Sequence, residues 1–156
     1  MLRRILATSV LFFQDHVRDG ERADTVSMRV YNNPALDWLI YFTNMVFDPR
    51  FEWPMGYEDF EAYLVGKYGS VENSHRTTHH YEKIVQLEKE TTTATIPERT
   101  VVVDNRTYQS LPDSNRRLVT SFMYESDLNE RRRNITLVKA EFVPQILREM
   151  DRGGVA

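Results

Sequence analysis

The amino-acid sequence predicts a mainly α fold, with α+β as the alternative: about five helices and a small β-hairpin or extended arm near residues 91–111. Three stretches carry that expectation. "NNPALDWLIYFTNMVFDPR" is bracketed by helix start and stop signals, "GYEDFEAYLVGKYGS" ends on a glycine cap, and "TTTATIPERTVVVDNRTYQSL" is rich in β-branched residues.

The opening stretch, "MLRRILATSVLFFQ", is basic, hydroxylated and free of acid until Asp15. Its apolar run is far too short to span a bilayer, and the charged "QDHVRDGERAD" that follows lacks a signal-peptidase site. Residues 1–14 are therefore expected to form a docked N-terminal helix, with Leu2, Leu6 and Phe13 on one side, serving also as an uncleaved targeting segment. Residues 15–156 read as a single globular domain.

Gly20 marks a turn, and "TVSMRVY" (Thr25–Tyr31) alternates Val26, Met28 and Val30 as a short strand would. Asn33 is a good N-cap with Pro34 at the first helical position, and Asp48-Pro49 stops the helix. Leu36, Leu39, Ile40 and Phe47 share one side of it, while Trp38, Tyr41, Phe42 and Met45 cover much of the rest, so it needs cover on several sides. Of 18 aromatic residues, 10 lie between Trp38 and Tyr68, which places the hydrophobic centre there. A second helix runs from about Tyr57 to Tyr68, capped by Gly69, and a third from Ser74 to about Glu90 with Tyr81 and Ile84 inward. After the β-branched stretch, Pro112 opens a helix to about Tyr124. A last helical region begins at Asp127, kinks at Pro144 and ends at Gly153-Gly154, though "NITLVKAEFV" also accepts a strand.

At 156 residues with 28% charged residues and a net charge of −3, the chain has room for a core and lacks the basic excess of nucleic-acid binders. Without cysteine it cannot build disulfides, zinc-thiolate sites or thiol nucleophiles from its own residues. The sequons at Asn105 and Asn134 would matter only in a secreted protein.

Four groupings bear on chemistry. On a helix, His75 and His79 would share a face with Glu82 and could ligate a metal, but Arg76 disfavours a cation there and the histidines read as solvated or partner-facing. His16 lies among Asp15, Asp19, Glu21 and Asp24, yet no nucleophile accompanies it, and Val17 breaks a calcium-loop pattern. Arg116, Arg117, Arg131, Arg132 and Arg133 could contact anions or anionic lipid, or form a solvated face. Phe12, Phe13, Trp38, Tyr41, Phe42, Phe51 and Trp53 exceed what a small interior hides and are expected at a partner interface. Neither a cofactor nor a catalytic set is expected, nor a transmembrane span.

These features point to a non-enzymatic accessory subunit of a larger assembly, contacting other protein subunits and anionic lipid. The presequence-like start suggests a mitochondrial membrane complex of respiratory-chain type; the cytoplasm is the other setting. A viral or phage structural protein fits the same interaction reading. The alternative is a small α+β ligand-binding or catalytic domain with an aromatic-walled pocket, in which His79 or His16 would titrate.

Overall fold

The computed structural model describes residues 11–90 and 94–153. Their architecture is α+β, with three sheets and eight α-helices among the described residues, rather than mainly α with about five helices. The chain divides into two compact units, Met1–Asp59 with Asn129–Ala156, and Phe60–Leu128.

Unit one is built on a two-stranded antiparallel sheet in which β1 (Phe12–His16) pairs with β7 (Asn134–Val138), Phe12 opposite Val138 and His16 opposite Asn134. Of the helix expected over residues 1–14, residues 1–10 lie outside the described residues, and Phe12–Gln14 belong to this strand. "TVSMRVY" is helical, not a strand: α1 (Ala23–Tyr31) buries Ala23, Val26 and Ser27, with Val30 half-buried, which is helical spacing. Asn33 caps the next element as expected, its Oδ1 accepting the Ala35 N–H at 3.0 Å. A 3-10 turn (Pro34–Leu36) leads into α2 (Asp37–Thr43), and α3 (Pro49–Glu52) follows. The expected final helix is interrupted by β7, and α8 (Val143–Gly153) restarts with Pro144 as its second residue, where its missing N–H breaks no helical bond.

The core of unit one is aliphatic, not aromatic. Val17, Val26, Ile40, Ile135 and Leu137 form one buried cluster; Leu36, Leu39, Val138, Val143 and Ile146 form another. The chain's two ends supply much of it, so the aromatic-rich middle is not its centre.

Helix α4 (Tyr57–Tyr68) begins in unit one and continues into unit two; Gly69 follows with φ +83°, the expected left-handed cap. Unit two adds α5 (Val71–Arg76), β2 (Thr78–Gln86), the short pair β3 (Lys89–Glu90) and β4 (Thr95–Ile96), β5 (Arg99–Val103), α6 (Asn105–Ser110), β6 (Arg116–Thr120) and the first part of α7 (Ser121–Arg133). Its sheet has the order β5-β2-β6, antiparallel throughout. The helix expected from Ser74 to Glu90 stops at Arg76 because Thr78–Gln86 pairs with β6 and β5, Tyr81, Glu82 and Lys83 with both, and those ladders outweigh a helix-compatible spacing of Tyr81 and Ile84. Likewise Pro112 precedes a 3-10 turn and β6, and helix resumes only at Ser121.

Candidate assembly interface

The end of α2 has a backbone built for a glycine. Met45 N–H donates to Phe42 O (3.3 Å) and Val46 N–H to Tyr41 O (2.9 Å), the paired bonds of a left-handed helix terminus. The residue that must take positive φ is Met45, at +55°. For a side chain with a Cβ that conformation costs about 1 kcal/mol. The turn projects Met45 and Phe47 outward, 68% and 85% exposed, and Phe51 on α3 follows at 64%.

This segment is nevertheless held firmly. The Glu52 carboxylate accepts the backbone N–H groups of Phe47 (2.6 Å) and Asp48 (3.1 Å). Asp48 caps α3 by accepting the Arg50 N–H at 3.1 Å, and the Arg50 guanidinium bonded to it holds its carboxyl below the usual range. Arg50 also lies 5.7 Å from the centre of the Phe51 ring.

The expected interface residues separate into two groups. Phe12, Phe13, Trp38 and Trp53 are half-buried against the aliphatic clusters. Trp53 stacks edge-on with Tyr41 at 5.5 Å and donates its indole N–H to Glu21 O at 2.9 Å, so this pair fills space rather than walling an open pocket. Burial raises the pKa of the Tyr41 hydroxyl. Phe42 and Phe51 are exposed, as are Met45 and Phe47 between them. Sequence reasoning missed Phe47 as a surface residue because it carried the helix on to Asp48, which turned Phe47 inward. No sequence signal marked the earlier end, because the left-handed position holds Met45 where a glycine would have announced it.

The histidines do not form the expected helical pair. His75 is on α5, its ring stacked on Phe122 at 3.9 Å, while His79 and His80 are on β2 beside a bulge in the pairing with β6. His79 Nδ1 lies 2.7 Å from His80 Nδ1, and His80 Nε2 lies 3.2 Å from Glu82 Oε1. Among the described residues, no group of three His, Cys, Asp or Glu side chains could hold a metal.

His16 meets Asn134 Oδ1 at 3.2 Å, and the acids around it serve packing: Asp15 and Glu21 pair with Arg29 at 2.9 and 2.8 Å. Three of the five arginines make ion pairs within their own units. Arg116 pairs with Asp113 and lies over Tyr108; Arg117 pairs with Glu98 at 2.6 Å. Arg133 is buried, bonded to Asp19 (3.0 Å), Glu130 (2.9 Å) and Met55 O (2.9 Å). Arg131 and Arg132, exposed and half-buried, belong to unit one, whereas Arg116 and Arg117 belong to unit two. Nothing in this geometry supports a lipid site. Among the described residues no helix is long and apolar enough to cross a membrane.

The described surface thus presents Phe42, Phe47 and Phe51 to solvent on a segment held by internal hydrogen bonds. A family model described as base plate wedge protein 53, a phage family, matches residues 1–88, more than half of the chain, and the chain belongs to that family. No curated protein matches it. The mitochondrial, respiratory-chain setting suggested by the first residues, and the cytoplasm as the other setting, are thereby overturned: the family is one of phage virion components, and the basic, acid-free opening is not evidence of an organellar address. The broader expectation, a subunit of a larger assembly with other proteins as partners, stands.

Proposed function

We propose that this chain is a non-enzymatic structural subunit of a phage base plate wedge, and that it seats a neighbouring wedge protein on the exposed apolar segment Phe42–Phe51. The observation that supports this is Met45 held at φ +55° beside a Phe47 that is exposed yet fixed by Glu52. A turn that favours glycine has instead a large apolar side chain facing solvent, a local cost that a binding contact would offset. Because the loop is already pinned, docking it loses little further conformational freedom. Covering a phenylalanine of this exposure is worth about 1.5–3 kcal/mol. Phe42 and Phe51 are the exposed ends of this segment, while Phe12, Phe13, Trp38 and Trp53 pack against the aliphatic core and Tyr41 against Trp53.

The test is co-purification of the full chain with the other wedge proteins from phage-infected cells. Phe47→Asp and Phe51→Asp are expected to lose those partners while keeping the wild-type melting temperature. Wild-type recovery of partners by the double variant would refute the reading.

A further inference from the structure

We infer that the free edge of β5 pairs antiparallel with β5 of a second copy of this chain, centred on Val102. In the order β5-β2-β6, β5 has one paired edge and, among the described residues, no strand on the other. Val101 and Val102 point to opposite faces of the sheet, and they are 54% and 65% exposed. Edge strands are ordinarily blunted by lysine, proline, a bulge or an inward charge. The strand's five residues, "RTVVV", contain no lysine or proline, and its one charge, Arg99, stands at the end. The irregularity in its pairing inserts a residue on β2 between Ile84 and Gln86, opposite Thr100 and Arg99, away from the valines.

Unit one treats its own sheet differently. On β7 the backbone of Thr136 is closed by the Asn44 side chain, and Val138 O accepts the Tyr31 hydroxyl at 2.9 Å. An edge left open, with three successive valines, is a template for another strand.

The segment's own sequence selects the occupant. In a two-fold antiparallel pair, one residue must stand opposite its twin. Centring on Val101 would set Glu98, whose charge Arg117 already meets, opposite the Asp104 carboxylate, a pairing without attraction. Centring on Val102 sets Val101 opposite Val103 and Thr100 opposite Asp104, the residue after the strand, whose carboxylate caps α6 through the Thr107 N–H and Oγ1 at 2.9 Å each and keeps lone pairs for a further hydroxyl. It also brings Arg99 next to that carboxylate, and among the described residues Arg99 has no ion pair within the chain. Valines at the centre flanked by basic and acidic ends make the segment complementary to itself.

The chain has no cysteine, so single cysteines in the full chain report the register directly. Val102→Cys is compared under mild oxidation with Val101→Cys and with Ser114→Cys, an exposed position in the turn before β6. Val102→Cys is expected to form a disulfide-linked dimer roughly tenfold faster than either, because a twin residue there faces itself. Sedimentation of the wild-type chain is expected to show concentration-dependent dimers, and the exposed Val102→Lys change, with circular dichroism unaltered, to abolish them. A wild-type chain that stays monomeric, cross-linking at Val102 no faster than at Ser114, or a faster reaction at Val101 would each overturn the proposal. These readouts do not involve Phe47 or Phe51, so they fail or succeed independently of the wedge-docking reading.

Discussion

The side chain of Asn44 meets both polar backbone groups of Thr136, 92 residues away: Nδ2–H donates to Thr136 O at 2.9 Å and Oδ1 accepts the Thr136 N–H at 2.7 Å. One carboxamide thus stands in for a third strand. It also explains why α2 ends at Thr43, since Asn44 Nδ2–H donates to Ile40 O at 2.8 Å as well. Asn44→Ala leaves a strand N–H and C=O in a half-buried place without partners. The expected loss is about 1–3 kcal/mol, read as a lower denaturant midpoint with an unchanged slope. Asn44→Asp is expected to do no better, because it keeps the acceptor but sets an anion against Thr136 O.

Met45→Gly should act in two opposite directions. At φ +55° a glycine has no Cβ to strain, so the isolated chain is expected to gain about 0.5–1 kcal/mol. If Met45 serves the interface, recovery of wedge partners falls while the melting temperature rises. A stabilised variant with undiminished partner recovery would remove Met45 from the docking surface.

In unit two, Glu125 is buried and accepts from Lys67 (2.6 Å), Tyr68 (2.9 Å) and Tyr63 (3.1 Å). Burial pushes its pKa up, but the bonds to Lys67 and the tyrosines outweigh this and the net shift is downward. The Glu125 hydrogen bond moves Lys67 the other way, well above the usual ammonium range. A carboxyl whose folded-state pKa lies below its unfolded value, about 4.3, stabilises fully above that value and loses the contribution as pH falls through the folded one. An ammonium shifted upward stabilises fully below its unfolded value, about 10.4, and loses it as pH rises through the folded one. The wild-type denaturation midpoint is therefore expected to be flat between those limits and to fall on both sides. Glu125→Gln should lower the plateau and flatten both limbs, measured by urea denaturation across the pH range.

Caps and turns were legible in the sequence because they are local. Asn33-Pro34, the run from Tyr57 to Gly69 and the turn at Gly20 each fix backbone geometry within a few residues. Strand β2 was not, because its pattern of Tyr81 and Ile84 suits a helix and its partners lie far along the chain, Tyr81 meeting both Val103 and Leu118. For α1 the error ran the other way: Val26, Met28 and Val30 alternate, but Met28 is exposed and the buried set is Ala23, Val26 and Ser27. The candidate interface was half legible. Counting aromatic residues singled out Phe42 and Phe51 together with Trp38 and Trp53, but only the chain's path leaves the first two exposed and packs the others inward. The strand alternative for "NITLVKAEFV" was open in the sequence, but nothing local said that its partner would be Phe12–His16, at least 118 residues away.

Two glycines with opposite surroundings give the last test. Gly66 lies in α4 with nothing within 4 Å of an added Cβ, so Gly66→Ala restricts the unfolded chain without a clash in the folded one. A gain of about 0.5–1 kcal/mol is expected. Gly56 is buried, and a Cβ there would stand 3.0 Å from Gly20 Cα and 3.2 Å from Gly20 N. Both are backbone atoms, in a turn where Gly20 itself holds φ +66°, so neither can swing aside as a side-chain tip would. The Asp19 carboxylate beside them accepts the Tyr57 N–H at 3.1 Å and Arg133 Nη2 at 3.0 Å, so any shift that relieves the clash disturbs those bonds too. Gly56→Ala is accordingly expected to destabilise by about 1–3 kcal/mol. Thermal melts of the two variants should move in opposite directions; a neutral Gly56→Ala would mean that the chain at Gly20 and Gly56 is looser than this contact requires.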